Sequence, residues 1–407
     1  MSLDFAMARY DPQDIVLRAI AREALNFLFK YIEIERIRCI LLTGSVANGE
    51  GTVIEHNSSM TTSDFDFIIY TDFPHFLKNR ARYQNLSQEM STRLRERGVN
   101  THILFLPSTS VLEKGIFLTS SNIYEYEFAY ASKCIFGQRP SFNKEARPSK
   151  RDAIELVFTV VSDLVFSKFK NISKIEESYI YAKRALTLLN SILIFHGFFA
   201  ETYQKRIEIA RKYAAISGIP LNHDETKTLE IFTEYKLSGT FQQLLGSLAC
   251  TKTDDLISFQ REFLKKLTTK ILYYELNNIL NKTTETKLGY SNSLQNMTSK
   301  FPALLKEYSK YSRTWIPSRI MGITLCLFWS LARNRRSKEL FTTFIFQNQS
   351  PKVILNVLIA LLFIYGHDIS ARRILREIFP WINVNNETEA VRRIFSLWQI
   401  AEQSIKI

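Results

Sequence analysis

Thr43-Gly44-Ser45-Val46-Ala47-Asn48-Gly49-Glu50-Gly51, followed after a polar stretch by Thr62-Ser63-Asp64-Phe65-Asp66-Phe67-Ile68-Ile69-Tyr70, is the part of this 407-residue chain around which the rest is organised. The apolar run Ile40-Leu41-Leu42 ahead of it reads as a buried strand, and Gly49 and Gly51 permit tight backbone turns beside a ligand. Gly44 and Ser45 therefore stand where a strand leads into an anion cradle. On an extended strand alternate side chains share a face, so Asp64 and Asp66 point the same way. Two hard oxygen donors side by side suit Mg²⁺, which is normally held by one or two carboxylates together with substrate phosphates. Either half alone is a common local pattern. Together they set a backbone anion site and a carboxylate pair on adjoining strands of a small sheet.

Composition bounds the class. With 46% hydrophobic and 23% charged residues the chain is an ordinary globular protein, long enough for two domains or one large one. Thirty Phe and 18 Tyr, with few Gly and Pro, favour filled cores and long helices over a repeat or loop-rich architecture. The formal charge of +13 is uneven: residues 1 to 140 hold 15 Lys and Arg against 16 Asp and Glu, and the remainder holds 38 against 24. A basic excess in the second part suits a polyphosphate, a nucleic acid or an anionic surface, and equally an ordinary solvated helical surface. Cys39, Cys134, Cys250 and Cys326 are far apart in sequence, lack Cys-x-x-Cys spacing and read as reduced core residues. The N-terminus has no apolar stretch behind a basic segment, so no secretory signal is expected and a cytoplasmic location follows.

Asp11-Pro12 opens a helix in which Ile15, Ala19, Ala24, Leu25 and Leu28 recur at helical spacing up to Tyr31. Ile37–Leu42 is the first strand, and Val46–Asn48 opens a short helix facing the cradle. The insert Glu55–Thr62 is expected as a surface loop over the site, with His56 solvated. Pro74 begins a break, residues 76 to 97 form a basic helix with a solvated face, Gly98 caps it, and Val99–Leu106 is a third strand. Residues 121 to 137 read as a helix and a short strand ending at Gly137, with Glu125 and Glu127 as surface charges. The polar, proline-bearing segment 139–149 is the expected linker. Beyond it, apolar residues at helical spacing predict helices at 150–170, 177–199, 201–217, 225–235, 253–282, 316–333, 352–365 and 385–404. The polar stretch 281–299 divides them. The runs Ile320–Ala332 and Val353–Tyr365 have about thirteen residues each, short of the roughly twenty that span a bilayer, so no transmembrane segment is expected.

A hydrophobic strand, Gly44-Ser45, a short helix and then Asp64-Phe65-Asp66 on the next strand resemble the signature of the polymerase-β-like nucleotidyltransferase superfamily. More narrowly, Gly-Ser-Val-Ala-Asn-Gly-Glu-Gly with Ser-Asp-Phe-Asp-Phe resembles stand-alone bacterial and archaeal members. The likeness covers roughly residues 36 to 138. It implies an α+β fold: a nucleotidyltransferase domain over 1–138, with a small mixed sheet flanked by helices, then a large all-α domain over 150–407. It also implies a Mg²⁺ site at Asp64 and Asp66, with Gly44 and Ser45 on the phosphates of a nucleoside triphosphate. Members of the superfamily often place a Lys or Arg from the helical part on the triphosphate. Lys183 is the first candidate, with Tyr203 and Arg206 behind it.

The chain departs from the pattern at the third strand, where active members supply a third carboxylate. Here the matching position is Asn100 or His102. His102 would serve as a neutral general base, whereas Asn100 would only hydrogen-bond. The expected function is Mg²⁺-dependent transfer of a nucleoside monophosphate to an unidentified acceptor, for which the resemblance favours a small molecule or carbohydrate. Nucleic acid is compatible with the basic excess, but no recognition motif indicates it. The alternative is a catalytically impaired nucleotide-binding scaffold whose helical part binds a protein.

Overall fold

The computed structural model describes residues 3–56, 59–108, 122–142, 147–166, 172–213 and 218–280. The dividing stretch 281–299, the three helices expected beyond it and both long apolar runs lie outside these residues. The described part is α+β. The chain falls into two compact units, one of residues 1–152 with 172–264, the other of 153–171 with residues from 265 onward. Everything that bears on the site belongs to the first.

That unit opens with α1, Asp11–Tyr31, which carries Pro12 in its first turn with Asp11 and Asp14, and Lys30 in its last. These are the residues that the free N–H groups and the helix dipole favour at each end. The expected period holds, but its phase differs. Leu17, Ala21, Ala24, Leu25 and Leu28 are buried, while Ile15 and Ala19 face solvent.

A four-stranded sheet follows in the order β5-β4-β1-β6, built from β1 (Ile37–Thr43), β4 (Phe65–Asp72), β5 (Thr101–Ser108) and β6 (Lys133–Gly137). β1 runs antiparallel to β4 and β6, and β4 runs parallel to β5. Parallel neighbours need a long crossover, and α3 (Phe73–Arg95) provides it. Pro74 lies in the first turn of α3 rather than marking a break, because a residue without N–H is no loss there.

Strand alternation divides the sheet residues between two cores. Ile40, Leu42, Phe65, Phe67 and Ile69 pack with α1 and α3, whereas Cys39, Leu41, Ile68 and Tyr70 pack on the other face against Phe128. Phe128 belongs to α4, Asn122–Tyr130. Asp66, two residues before Ile68, thus shares the face that α4 covers.

The insert is not a surface loop: β2 (Val53–His56) and β3 (Ser59–Thr62) form an antiparallel hairpin with Val53 opposite Thr62. β-Branched Val53, Ile54, Thr61 and Thr62 favour the pleated conformation over an irregular one. Cys39 and Cys134 are free thiols packed together on the second face, as expected of reduced core residues, with their Sγ atoms 3.5 Å apart across β1 and β6.

Beyond the expected linker, the helical residues from 172 to 264 complete the unit. α5 (Lys150–Phe166) leads out of it, and α6 (Lys174–Phe195) returns, capped by Ser173 accepting from the Glu176 N–H. α7 (Tyr203–Tyr213), α8 (His223–Ser238), the unanticipated α9 (Phe241–Ser247) and α10 (Thr253–Leu280) follow. α8 begins in a reciprocal capping box between Asn222 and Glu225 and ends at Gly239 in the left-handed region. No helix among the described residues is long and apolar enough to cross a membrane.

Candidate active site

β1 ends at Thr43, whose partner on β4 is Asp66, so the Gly44 turn and the carboxylate meet through strand register. Gly44 has φ +73°, and a Cβ there would stand 2.9 Å from Asp66 Oδ2. Only glycine serves both needs, the left-handed backbone and the close approach of the carboxylate. Ser45 follows in the short helix α2, Gly44–Ala47, beginning two residues earlier than expected.

Asp64 immediately precedes β4. Its carboxylate is bonded to the Lys183 ammonium of α6, both side chains being about three-quarters buried. Burial alone would push the Asp64 carboxyl up, but the Lys183 ammonium, helped by His102 and Arg184, holds it below the usual carboxylate range. Burial likewise acts to lower Lys183, and the Asp64 carboxylate overrides it to leave the ammonium above its ordinary value. Asp66 has no such partner. Burial and then the like charge of Asp64 push its carboxyl up to about 6, with His102 and Lys183 opposing. His102 stands on β5 opposite Asp66 in parallel register, exposed at the open edge of this face. Asn100, the other residue considered at that position, precedes β5 and spends its carbonyl on the Phe65 N–H at 2.9 Å.

Beside the Gly44–Ser45 turn lies a cavity of about 90 Å³. Of the residues expected on the nucleotide, Gly44, Ser45, Tyr203 and Arg206 line it together, whereas Lys183 is turned to Asp64. Arg206 is anchored through Nε to the Ala200 carbonyl at 3.0 Å, with its guanidinium over the Tyr203 ring. The expectation that Glu127 is a surface charge is overturned. It lines the cavity, where burial pushes its carboxyl up to about 7, with Arg206 opposing and Asp66 adding. The physical reason lies in α4. Ile123, Tyr126 and Glu127 face the cavity with Ala131 just beyond the helix, while Phe128 packs on the Asp66 face of the sheet. An acid inside an apolar stripe is the sequence signal that would have found it. The Glu125 side chain lies outside the description.

Two further residues were not anticipated. Glu50, 7% exposed, accepts from the backbone N–H groups of Tyr203 at 2.7 Å and Gln204 at 3.1 Å, which ties the end of the glycine turn to the start of α7. Lys236 of α8 is fully buried and donates to the Glu50 carbonyl at 3.2 Å, Thr52 Oγ1 at 3.1 Å and Ser63 Oγ at 2.8 Å. Three donors meet three acceptors, and Ser63 in turn bonds the Tyr179 hydroxyl at 3.1 Å. This network holds both ends of the hairpin, and Ser63 is the residue before Asp64. Lys236 stands among Leu229, Phe232, Thr233 and Leu237, a cation at a core position of the helix.

Among the described residues no group of three or more His, Cys, Asp and Glu is gathered as a ready-made metal cage. Asp64 and Asp66 nevertheless fit a divalent cation that takes one or two carboxylates and draws its other ligands from substrate and water. Burial and the Asp64 charge, which together raise Asp66, are what such an ion would offset. Compared with family models, curated proteins and solved structures, the chain matches none.

Proposed function

We propose that the chain is a Mg²⁺-dependent nucleotidyltransferase, moving a nucleoside monophosphate from a triphosphate to an acceptor. The observation that carries this reading is the register of β1 with β4, which sets the left-handed Gly44 turn against Asp66 while Lys183 reaches Asp64 from α6. The Gly44 turn, a carboxylate pair and a lysine thereby converge at one end of the two central strands.

Mg²⁺, held by Asp64 and Asp66, would neutralise triphosphate charge and favour departure of pyrophosphate. The Ser45 hydroxyl and the N–H groups after Gly44 would hold the terminal phosphates by charge-assisted hydrogen bonds. Lys183, with its long flexible stem, would exchange the Asp64 carboxylate for a phosphate oxygen. In the transfer the acceptor's oxygen or nitrogen forms a bond to the α-phosphorus, the bond to the β-bridging oxygen breaks, and the acceptor's proton passes to a base. His102 stands opposite Asp66 on the neighbouring strand and is the candidate base for that proton.

The test is calorimetric titration of the four ribonucleoside triphosphates with and without Mg²⁺, then pyrophosphate release on the same samples. Metal-dependent binding that disappears in Asp64→Asn/Asp66→Asn, together with release, is expected. Equal binding by that double variant removes the metal site. The second reading, an impaired nucleotide-binding scaffold, draws on the absence of an acid opposite Asp66, where His102 stands. Binding with no release, even with cell extract as a source of acceptors, selects it.

A further inference from the structure

We infer that the cavity beside the Gly44–Ser45 turn is a binding site for a small organic ammonium group, the amine-bearing end of the acceptor. Its role as acceptor site rests on the transferase reading; the binding itself does not. Three carboxylates, from Glu50, Glu127 and Glu201, stand in its lining against the single guanidinium of Arg206. Two of the three are already occupied. Glu50 holds the start of α7, and Glu201 receives Lys205 Nζ at 3.1 Å and the Tyr126 hydroxyl at 3.3 Å. Arg206 is bound back to the Ala200 and Glu201 carbonyls.

Among the polar side chains of the lining, the Glu127 carboxylate and the Asn190 amide have no hydrogen bond among the described residues, nor do the Ser45 and Tyr203 hydroxyls. Asn190 is 8% exposed, so more than nine-tenths of it is removed from solvent, and it lines the cavity where a ligand can bond its amide. A buried amide and an unpaired carboxylate in one small polar cavity call for a ligand that donates to both. The excess of carboxylates favours a cation in this cavity, beside the turn whose Ser45 hydroxyl is assigned to the terminal phosphates. A volume of about 90 Å³ is enough for an aminoethyl or hydroxyethylamine terminus. Ile123, Ile194 and Phe199 supply an apolar wall for its methylene groups.

The experiment is saturation-transfer NMR on the full chain with ethanolammonium, and with ethylene glycol and acetate as neutral and anionic comparators, in the absence of nucleotide and metal. Saturation transfer to ethanolammonium alone is expected. Glu127→Gln and Asn190→Leu should each weaken it about tenfold or more, the loss of one charge-assisted or buried hydrogen bond. Far-UV circular dichroism confirms that each variant is folded, and Asn190→Leu keeps the side-chain volume. Equal transfer to ethylene glycol, no transfer to ethanolammonium, or wild-type affinity in both folded variants overturns the inference. Amine binding by a protein that shows no Mg²⁺-dependent triphosphate binding would keep this site and remove the transferase reading.

Discussion

Replacing Asp66 by Asn should stabilise the ligand-free protein at neutral pH, at the expense of its proposed cation site. Asp66 is half-buried, two residues from Asp64, and burial with that like charge raises its carboxyl to about 6. A carboxyl in the unfolded chain titrates near 3.9, so between about pH 4 and 6 the folded state binds the extra proton. The stability that Asp66 contributes is then fully present below about pH 4 and lost as pH rises through about 6. By pH 7 the loss is on the order of 3 kcal/mol, and water screening of the partly exposed side chain reduces the expected gain for Asn to about 1–3 kcal/mol. Asp64 has the opposite sign. Lys183 depresses it, so its contribution is present above the unfolded value and is lost only as pH falls further. Glu127, raised to about 7, adds to the loss at neutral pH and persists in the variant.

The assay is urea unfolding by far-UV circular dichroism at pH 5 and pH 7, with hydrogen exchange of peptides covering β1 and β4. Wild-type protein should be less stable at pH 7 than at pH 5, and Asp66→Asn should narrow that difference from the pH 7 side. A variant no more stable than wild type at pH 7, or an unchanged difference between the two pH values, would refute the claim that an unrelieved carboxylate pair is held at this turn.

Lys183→Met removes one partner of a pair that is about three-quarters buried, and should cost about 2–4 kcal/mol, between the values for exposed and fully buried pairs. The same variant should bind Mn²⁺ alone more tightly, since Asp64 is freed, and a triphosphate less tightly; a parallel change in both would exclude the exchange of partners proposed for this lysine. Gly44→Ala places a Cβ 2.9 Å from Asp66 Oδ2 at φ +73°, and a loss of about 1–3 kcal/mol in chemical denaturation is expected. Wild-type stability there would show that the turn relaxes without cost. Lys236→Met leaves the oxygens of Thr52 and Ser63 short of a donor in the buried network, and a loss of about 3 kcal/mol should appear as faster exchange in the β2–β3 hairpin. Unchanged protection there would mean that the hairpin does not depend on α8.

What could be read directly from the chain was whatever depends on a local period. The run Ile40-Leu41-Leu42 formed its strand, Asp66 lay on the strand expected for it with Asp64 just before, and Pro12 opened α1 where its missing N–H is harmless. Misreadings came where two local signals compete. The polar insert contained enough β-branched residues to pair as a hairpin, and Pro74 marked a helix start rather than a break. Ile15 and Ala19 had the right spacing but the wrong phase, because the face that is buried is chosen by what packs on it.

The composition of the cavity was decided by tertiary structure alone. Glu127, Asn190, Glu50, Tyr203 and Arg206 come from the glycine turn and from α4, α6 and α7, and no spacing along the chain brings them together. Their neighbourhood follows from strand order, which turns the Asp66 face toward α4, and from the seating of Lys236 and Glu50, which draws α8 and α7 onto the segment between Gly44 and Asp64. Charge shows the same division. The paired aspartates are visible in any reading of residues 64 to 66, but only burial and the position of Lys183 make one carboxylate more acidic than usual and the other less. Periodicity is a property of a segment, whereas desolvation and the field of a distant charge belong to the folded whole.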